Sequence, residues 1–277
     1  MSSAGVGIAD LVDTDRYPID RLSEPVGEDF VAECLVRLES ESSLTLPDFL
    51  QPSAVDSILE EIDRAPTVRD ERVRTPYSWR YNLDFPDGHP RRALFRAAFD
   101  AVFTDAFANG GEAQTLFGLP ELTEFVRRLL GTATNYPSVC PTLSLMATVM
   151  HEGDEQGWHF DTNDGVVSIL LQAADVGGHF EFAPYVRSET DESYDDVDAV
   201  FSGEAKPDRL DLQPGTFAFF RGRRSVHRVS PVGPSSGPRK ILLLSYDERP
   251  NMTFTESMQN SVRYPDGADF LGQPAPA

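Results

Sequence analysis

The chain has 277 residues, of which 40% are hydrophobic and 25% are charged, and these proportions exclude a disordered or fibrous protein. Its 45 acidic and 24 basic residues give a formal charge of -21, which repels phosphate backbones and anionic lipid headgroups, so nucleic acid and membranes are poor candidates for partners. Cys34 and Cys140 lie far apart without CxxC spacing, which argues against a disulfide framework and a zinc knuckle and favours a reducing cytoplasm.

The N-terminal residues MSSAGVGIADLVDTD have no basic segment followed by an apolar run, and the sequence contains no stretch of about eighteen apolar residues. We therefore expect a cytoplasmic protein that is neither secreted nor membrane-spanning. Residues 1–25 are polar and acidic without sustained periodicity, so we predict a flexible N-terminal arm. One domain is expected over residues 26–277.

Helical patterning characterises residues 26–135. Apolar side chains recur at spacings of three and four in segments 29–39, 53–62, 92–107 and 122–130. Four amphipathic helices are predicted there, with a short strand at SLTLPDFL between the first two. We expect this part of the domain to be mostly helical.

After Pro141 the pattern changes to short apolar runs bounded by Gly, Pro, Asp and Ser, which is typical of antiparallel β-structure. Seven strands are predicted, at 143–150, 166–172, 179–182, 209–212, 216–220, 225–229 and 240–246. Several are apolar on both faces, which indicates a closed or sandwiched sheet covered by helices over about residues 140–250. The acidic segment 189–208 is too long for a hairpin turn and predicts a surface excursion or a lid, and residues 251–277 form a C-terminal extension.

The segment GWHFDTND, residues 157–164, carries the first chemical signal. His159 and Asp161 are separated by one residue, so in an extended backbone both side chains project from the same face. An imidazole and a carboxylate at this spacing can reach one metal ion. Alone, such an HxD pair is weak evidence, because it recurs by chance in many proteins.

A third ligand is available in the predicted strand SVHRV, which contains His227. Two histidines and one carboxylate on one face of a metal leave the remaining positions open, the arrangement of non-haem iron(II) oxygenases. A structural zinc site would fill its coordination with protein ligands, and no cysteine is available to help. His179, beside a Gly-Gly pair, is the alternative third ligand.

Arg239 lies twelve residues beyond His227, at the start of the run RKILLLSY. If that run forms a strand beside the one bearing His227, the guanidinium faces the same cavity and can hold a carboxylate bidentately. The alternative for a single arginine at a strand start is a surface ion pair.

The order of an HxD pair, a distant histidine and an arginine shortly after it resembles the iron(II)- and 2-oxoglutarate-dependent oxygenases. The resemblance covers about residues 140–250 and, more loosely, the helical part from about residue 45. The phrases WHFD, GGHFEF, LQPGTFAFFRGRRSVHRVSPV and LLLSYDERP are similar to a bacterial group that acts on small molecules, including free amino acids. That group includes the amino-acid halogenases.

This resemblance implies an α+β, mainly β protein with a double-stranded β-helix core, a jelly roll of the cupin type, and N-terminal helices packed outside it. It implies iron(II) held by His159, Asp161 and His227, with 2-oxoglutarate held by Arg239 and O2 as the second cosubstrate. In the halogenases Gly or Ala replaces the carboxylate of HxD, so the presence of Asp161 implies hydroxylation. The expected reaction hydroxylates an unactivated C–H bond of a free amino acid or a derivative and releases succinate and CO2.

Substrate residues are predicted from the need of an amino acid for a cationic partner. The segment YSWRYN offers Arg80 for the carboxylate and Trp79 as a wall, although the sequence alone favours an ordinary packed aromatic cluster with a snorkelling arginine. Arg223 and Arg224, in the loop before His227, are second candidates.

Other outcomes remain open at this point. The same chemistry can act on a protein side chain or a natural-product intermediate, by desaturation or cyclisation. A metal-dependent hydrolase would use the same ligands with an activated water, and a non-catalytic β-barrel would make HxD a coincidence. A monomer or a homodimer is expected.

Overall fold

The computed structural model describes residues 6–77 and 84–263. Its helices are α1 (Ile8–Leu11), α2 (Pro25–Glu41), α3 (Pro52–Arg64), α4 (Glu112–Phe117), α5 (Pro120–Leu130), α6 (Tyr194–Ser202) and α7 (Glu256–Arg263). Its strands are β1 (Ser43–Leu46), β2 (Val68–Arg74), β3 (Phe95–Val102), β4 (Tyr136–Pro137), β5 (Leu145–Met150), β6 (Glu155–His159), β7 (Val166–Gln172), β8 (Phe180–Ala183), β9 (Asp208–Leu210), β10 (Phe217–Phe220), β11 (Val226–Val229) and β12 (Arg239–Asp247).

The strands form one antiparallel sheet that folds over on itself. Its order is β1-β10-β7-β12-β5-β3-β6-β11-β8-β9, with β2 paired to β3 and β4 paired to β12. Strand β3 joins the two halves, because its C-terminal residues pair with β5 and its central residues pair with β6. The chain thus has an antiparallel sheet with helices outside it, and the predicted α+β fold class is confirmed.

Helices α1 to α5 cover one face of the sheet and form the larger hydrophobic core with it. At its centre Phe217 of β10 is fully buried, with its ring centroid 5.0 Å from that of Phe49 and 5.6 Å from that of Phe125 on α5. Leu242 and Leu244 of β12 belong to the same core.

A second core lies between the two halves of the folded sheet and contains Phe99, Met150, Phe180 and Phe220. Successive residues of a strand point to opposite faces, so the odd-numbered residues of β12 face this interior while the even-numbered ones face the helices. The alternation turns Arg239, at the first position of β12, into the protein.

The predicted helices at 29–39, 53–62 and 122–130 are confirmed as α2, α3 and α5. All seven predicted strands of the C-terminal half are present, with ends that differ by no more than two residues. The excursion 189–208 is not a plain loop, because α6 lies within it and buries Val197 and Val200.

The helix predicted at 92–107 is wrong, because residues 95–102 form β3. The run FRAAFDAV fits both a helical and an alternating pattern, and partners on both sides decide between them. With β2 on one edge and β5 and β6 on the other, β3 uses its backbone groups in ladders instead of a helix. Residues 26–135 are accordingly less helical than expected, since they also contain β1 and β2.

The expectation of a flexible N-terminal arm does not hold for residues 6–25. Leu11, Val12, Ile19 and Leu22 are buried in the larger core, and the backbone N–H of Asp13 donates to the Phe49 carbonyl at 3.0 Å. Scattered apolar residues, without helical periodicity, anchor this segment. Within the described residues, none of the helices has the length and apolar character needed to cross a membrane.

We expect Phe217→Ala to lower the free energy of unfolding by about 3–5 kcal/mol, because it removes a buried ring and leaves a cavity among Phe49 and Phe125. Val36→Ala on α2, where Val36 is 66% exposed, should change it by less than about 0.5 kcal/mol. Urea denaturation followed by circular dichroism measures both. Equal effects of the two substitutions would contradict the assignment of this core.

Candidate metal centre

Two histidines face each other across neighbouring strands. In the antiparallel pairing of β6 with β11, His159 lies directly opposite His227, and their ring centroids are 4.1 Å apart. The ladder between β11 and β8 holds His227 from the other side, where it is paired with Phe182. The rings of Phe180 and Phe220 lie 5.6 and 4.8 Å from that of His227, so this imidazole has little freedom to turn.

Both imidazoles have the same tautomer, set by a local hydrogen bond. Nδ1 of His159 lies 2.9 Å from the Gly157 carbonyl oxygen, and Nδ1 of His227 lies 2.9 Å from that of Ser225. A carbonyl oxygen only accepts, so each Nδ1 carries the proton. Each Nε2 therefore presents a lone pair, the form in which histidine binds a metal.

Asp161 completes a group of three potential ligands. One ligand atom from each of His159, Asp161 and His227 lies within 4.8 Å of the others, and Oδ1 of Asp161 is 3.5 Å from Nε2 of His227. Among the described residues no fourth histidine, cysteine or carboxylate joins them. A donor set of two neutral imidazoles and one carboxylate fits a divalent transition metal with open coordination positions.

The carboxylate of Asp161 is held in place by a glycine. The Asp161 N–H donates to the Gly222 carbonyl at 3.0 Å, and a Cβ at position 222 would overlap the Asp161 carboxylate itself. Gly222 has an ordinary φ, so it is needed for space and not for backbone conformation. The loop before β11 is thus shaped around the third ligand.

Burial and the neighbouring imidazole of His227 lower the pKa of His159 well below its usual range. The His159 ring is therefore neutral at physiological pH. A neutral ring leaves Nε2 free for a metal without competition from a proton.

An inner cavity adjoins the metal centre. It reaches His159 and Asp161 and is otherwise mostly apolar, with walls that include Phe99, Phe103 and Met146. Strand β2 is the exception, because Asp70, Arg72 and Arg74 project into this cavity from alternate positions. Asp70 and Arg72 form a buried ion pair at 2.8 Å.

Arg74 has no such ion pair with any residue that the structure describes. Its Nε and Nη2 atoms are buried and make no hydrogen bond within residues 6–77 and 84–263. Burial and the charge of Arg72 lower the pKa of Arg74 to about 10, and the carboxylates of Asp70 and Asp161 only partly oppose them. A charged guanidinium beside a metal centre whose buried nitrogen atoms lack hydrogen-bond acceptors among the described residues is suited to bind an anion.

Arg239 is a second buried guanidinium without a carboxylate. It is 2% exposed, its Nη1 contacts Met150 Sδ at 4.0 Å, and no ion pair within the described residues involves it. Burial lowers its pKa to about 10. Arg239 lines a separate cavity with His179 and Phe180, and the Phe180 ring also packs against His227. His179, the alternative third ligand, therefore lies away from the group of three.

The predicted substrate residues lie apart from the inner cavity or outside the described residues. Arg223 and Arg224 line a third cavity, which we call the outer chamber and which also touches Asp161. Trp79 and Arg80 lie outside the described residues.

The sequence did not identify Arg74 as a candidate site residue. The strand VRDERVR has charged residues on both faces, so alternation gives no indication of which side is buried. Only the pairing of β2 with β3 decides it. The single signal available was an arginine three residues before YSWRYN.

A family model described as Halogenase D matches residues 90–263. None of the curated proteins matches the sequence significantly. Solved structures share the fold at low identity. An oxidoreductase of the 2OG-Fe(II) oxygenase family from Burkholderia pseudomallei has a TM-score of 0.51 at 18% identity, covering 79% of this chain and 91% of that one.

Two further structures agree. The 2-oxoglutarate-dependent epimerase SnoN of nogalamycin biosynthesis has a TM-score of 0.54 at 15% identity, over 90% of this chain and 96% of its own. HygX from Streptomyces hygroscopicus, solved with nickel, 2-oxoglutarate and hygromycin B, has a TM-score of 0.53 at 13% identity, over 77% and 86%. The expected double-stranded β-helix fold is confirmed.

We expect Gly222→Ala to weaken metal binding by about 10- to 100-fold, because the new methyl group displaces the Asp161 carboxylate from the imidazoles. Anaerobic titration with iron(II) against a chromophoric chelator measures the affinity. Gly118→Ala is the control, since Gly118 also has negative φ and its Cβ would meet the carbonyl oxygens of Gln114 and Thr115 at 3.3 and 3.7 Å, far from the metal ligands. Unchanged affinity in Gly222→Ala would exclude Asp161 as a ligand.

Proposed function

The chain belongs to the Halogenase D family, and from this membership we propose that it is an iron(II)- and 2-oxoglutarate-dependent oxygenase that hydroxylates an amino acid or a similar small molecule. The observation that carries the proposal is the group formed by His159, Asp161 and His227 at the mouth of an apolar cavity. The ordered imidazole tautomers support it, because they leave a lone pair on both Nε2 atoms, although that of His159 lies 3.2 Å from the side-chain amide nitrogen of Gln156.

In this proposal His159, Asp161 and His227 hold the metal. When bound, iron and 2-oxoglutarate supply the oxidising power that inserts one oxygen atom of O2 into a C–H bond, with succinate and CO2 as coproducts. The task of the protein is to exclude water and to fix the position of the substrate. The apolar walls of the inner cavity serve the first purpose.

Two buried arginines without carboxylate partners support two anionic ligands. A buried guanidinium is costly unless an anion compensates it. Arg74 lines the cavity that reaches His159 and Asp161, whereas Arg239 lines a separate cavity whose Phe180 wall packs against His227. We assign Arg239 to the distal carboxylate of 2-oxoglutarate, in keeping with its position at the start of β12. Arg74 then binds the carboxylate of the substrate, the role that the sequence suggested for Arg80.

The inner cavity also suits an amino acid for a second reason. Asp70 is 1% exposed, and its Oδ1 has no hydrogen-bond partner among the described residues. Burial raises the pKa of Asp70, although the nearby arginines oppose this shift. An ammonium group would supply the missing donor, so the cavity offers one group for each charge of a zwitterion.

Hydroxylation is favoured over halogenation by Asp161. Its carboxylate lies 3.5 Å from Nε2 of His227, where it takes up a coordination position that a halide would need. Gly222 makes room for this carboxylate, so the surrounding loop matches an intact HxD pair.

The first test is anaerobic titration with iron(II) and 2-oxoglutarate, followed through the visible metal-to-ligand charge-transfer band. We expect a band in the wild type and none in His227→Ala. Arg239→Gln should weaken 2-oxoglutarate binding by about tenfold or more, because a charge-assisted pair is lost. Arg74→Gln is the matched control, since it also removes a buried guanidinium but should leave 2-oxoglutarate affinity unchanged.

Two other outcomes would change the assignment. If Arg74→Gln and not Arg239→Gln weakens the band, the two arginines have exchanged roles. Absence of a band in the wild type contradicts the oxygenase assignment altogether.

The second test concerns stability and substrate together. Arg74→Met removes an uncompensated buried charge, so we expect the free energy of unfolding to stay the same or rise by about 1–3 kcal/mol. The same variant should lose most of the succinate release that a panel of free amino acids stimulates in the wild type. A purely structural arginine would give the reverse, with lower stability and unchanged stimulation at equal folded fraction.

A further inference from the structure

The outer chamber borders Asp161, and its chemistry is unlike that of the inner cavity. Four arginines line it, and they are Arg91, Arg187, Arg223 and Arg224. Its acidic residues are Glu189, Glu192 and the metal-centre residue Asp161. With Asp161 engaged by a metal, four cations face two carboxylates in a protein whose formal charge is -21.

We propose that the outer chamber is an oxyanion subsite, which takes a carboxylate or phosphate group of the substrate beside the metal centre. It deepens the proposed function by adding an anionic group to the substrate. The link to the substrate rests on that proposed function, whereas anion binding by the chamber does not.

Two of the arginines are held in fixed positions. The guanidinium carbon of Arg187 lies 3.8 Å from the ring centroid of Phe160, and that of Arg91 lies 4.7 Å from the ring centroid of Tyr77. Both donate to Glu192, at 3.0 and 3.1 Å. Side chains fixed in this way lose little entropy when they bind a ligand, unlike flexible surface arginines.

Glu192 does not neutralise the chamber. One carboxylate serves both Arg91 and Arg187, and Glu189 approaches Arg224 only at 3.8 Å with a side chain that is 66% exposed. The side chain of Arg223 has no ion pair with any described residue, although its backbone N–H donates to Asp164 at 3.1 Å. A net positive charge therefore remains at the wall next to Asp161.

Buried donors in the chamber also lack acceptors. The hydroxyl of Tyr77, a residue that is 4% exposed, and Nε of Arg224 make no hydrogen bond within the described part of the chain. Both groups can donate, and unsatisfied buried donors are costly. An oxyanion supplies several acceptor atoms and a compensating charge at once, so it fits this wall better than a neutral or cationic group.

The position of the chamber gives the subsite a role. Asp161 and Thr162 line both the inner cavity and the outer chamber, so the two meet at the metal centre. A substrate with its reacting carbon in the inner cavity can extend past Asp161 and place an anionic group among the arginines. This arrangement would select amino acids or derivatives that carry a second anionic group.

The test uses the full chain without iron or 2-oxoglutarate, so it is independent of turnover. Inorganic phosphate is titrated at low ionic strength and binding is followed by 31P NMR, with acetate as a competing carboxylate. We expect saturable phosphate binding that weakens by about tenfold in Arg223→Gln and in Arg91→Gln, as expected when one charge-assisted hydrogen bond is lost. Stronger competition by acetate than by chloride identifies a carboxylate subsite, and its absence identifies a phosphate subsite.

Two control variants separate the chamber from general electrostatics. Arg64→Gln on α3 makes the same change in net charge at a side chain that is 73% exposed, and it should leave phosphate affinity unchanged. Arg74→Gln reports on the other anion site, because Arg74 lines the inner cavity, and it should leave the phosphate binding that depends on Arg223 intact. Arg223→Gln is the safer chamber variant, since Arg91 also donates to Tyr194 at 2.7 Å and its loss can disturb folding, which circular dichroism would detect.

The proposal is overturned if the wild type shows no saturable phosphate binding, if Arg64→Gln weakens binding as much as Arg223→Gln, or if Arg74→Gln alone abolishes it. Addition of manganese(II) then tests the metal centre separately. We expect enhanced 31P relaxation in the wild type and little in His227→Ala. Arginine-dependent phosphate binding without this enhancement would uphold the subsite and contradict the metal centre.

Discussion

The antiparallel register between β6 and β11 is the constraint on which the site depends. It sets His159 opposite His227, and a slip by one residue would turn one imidazole to the other face of the sheet. The register is protected on both sides, because β3 pairs with β6 and β8 pairs with β11. Local hydrogen bonds from each Nδ1 to a carbonyl two residues earlier then set the tautomers. Backbone pairing thus determines both the position and the protonation of two ligands.

The arginines around the cavities differ from the surface arginines in how their charge is compensated. In a strongly acidic chain most arginines pair with carboxylates on the outside, as Arg127 and Arg128 do with Glu124. Arg239 and the Nε and Nη2 atoms of Arg74 are buried without such an ion pair among the described residues, although burial lowers the pKa of each side chain to about 10. Folding alone does not favour this arrangement, because a better-packed apolar side chain would avoid the desolvation. The proposed anionic ligands would bring the missing negative charge.

Much of the fold and the metal centre could be predicted from the sequence, because the signals are local. The strands of the C-terminal half are short apolar runs, and the HxD spacing requires only an extended backbone. The predictions failed where pairing between distant strands determines the local structure or the buried face. Residues 95–102 fit a helix until β2, β5 and β6 are in place. Arg74 belongs to a strand with charges on both faces, so its burial depends on β3 and not on its own pattern.

Asp161 connects these observations. It is two residues beyond β6, close to the Nε2 of His227, and at the boundary of the inner cavity and the outer chamber. Without a metal its carboxylate would neutralise part of the positive charge in both spaces, since it acts on Arg74 and lies beside Arg223. Metal binding would withdraw that negative charge from the arginines on either side. Occupation of the metal centre would therefore strengthen anion binding in the neighbouring cavities, which favours loading of the metal before the anionic ligands.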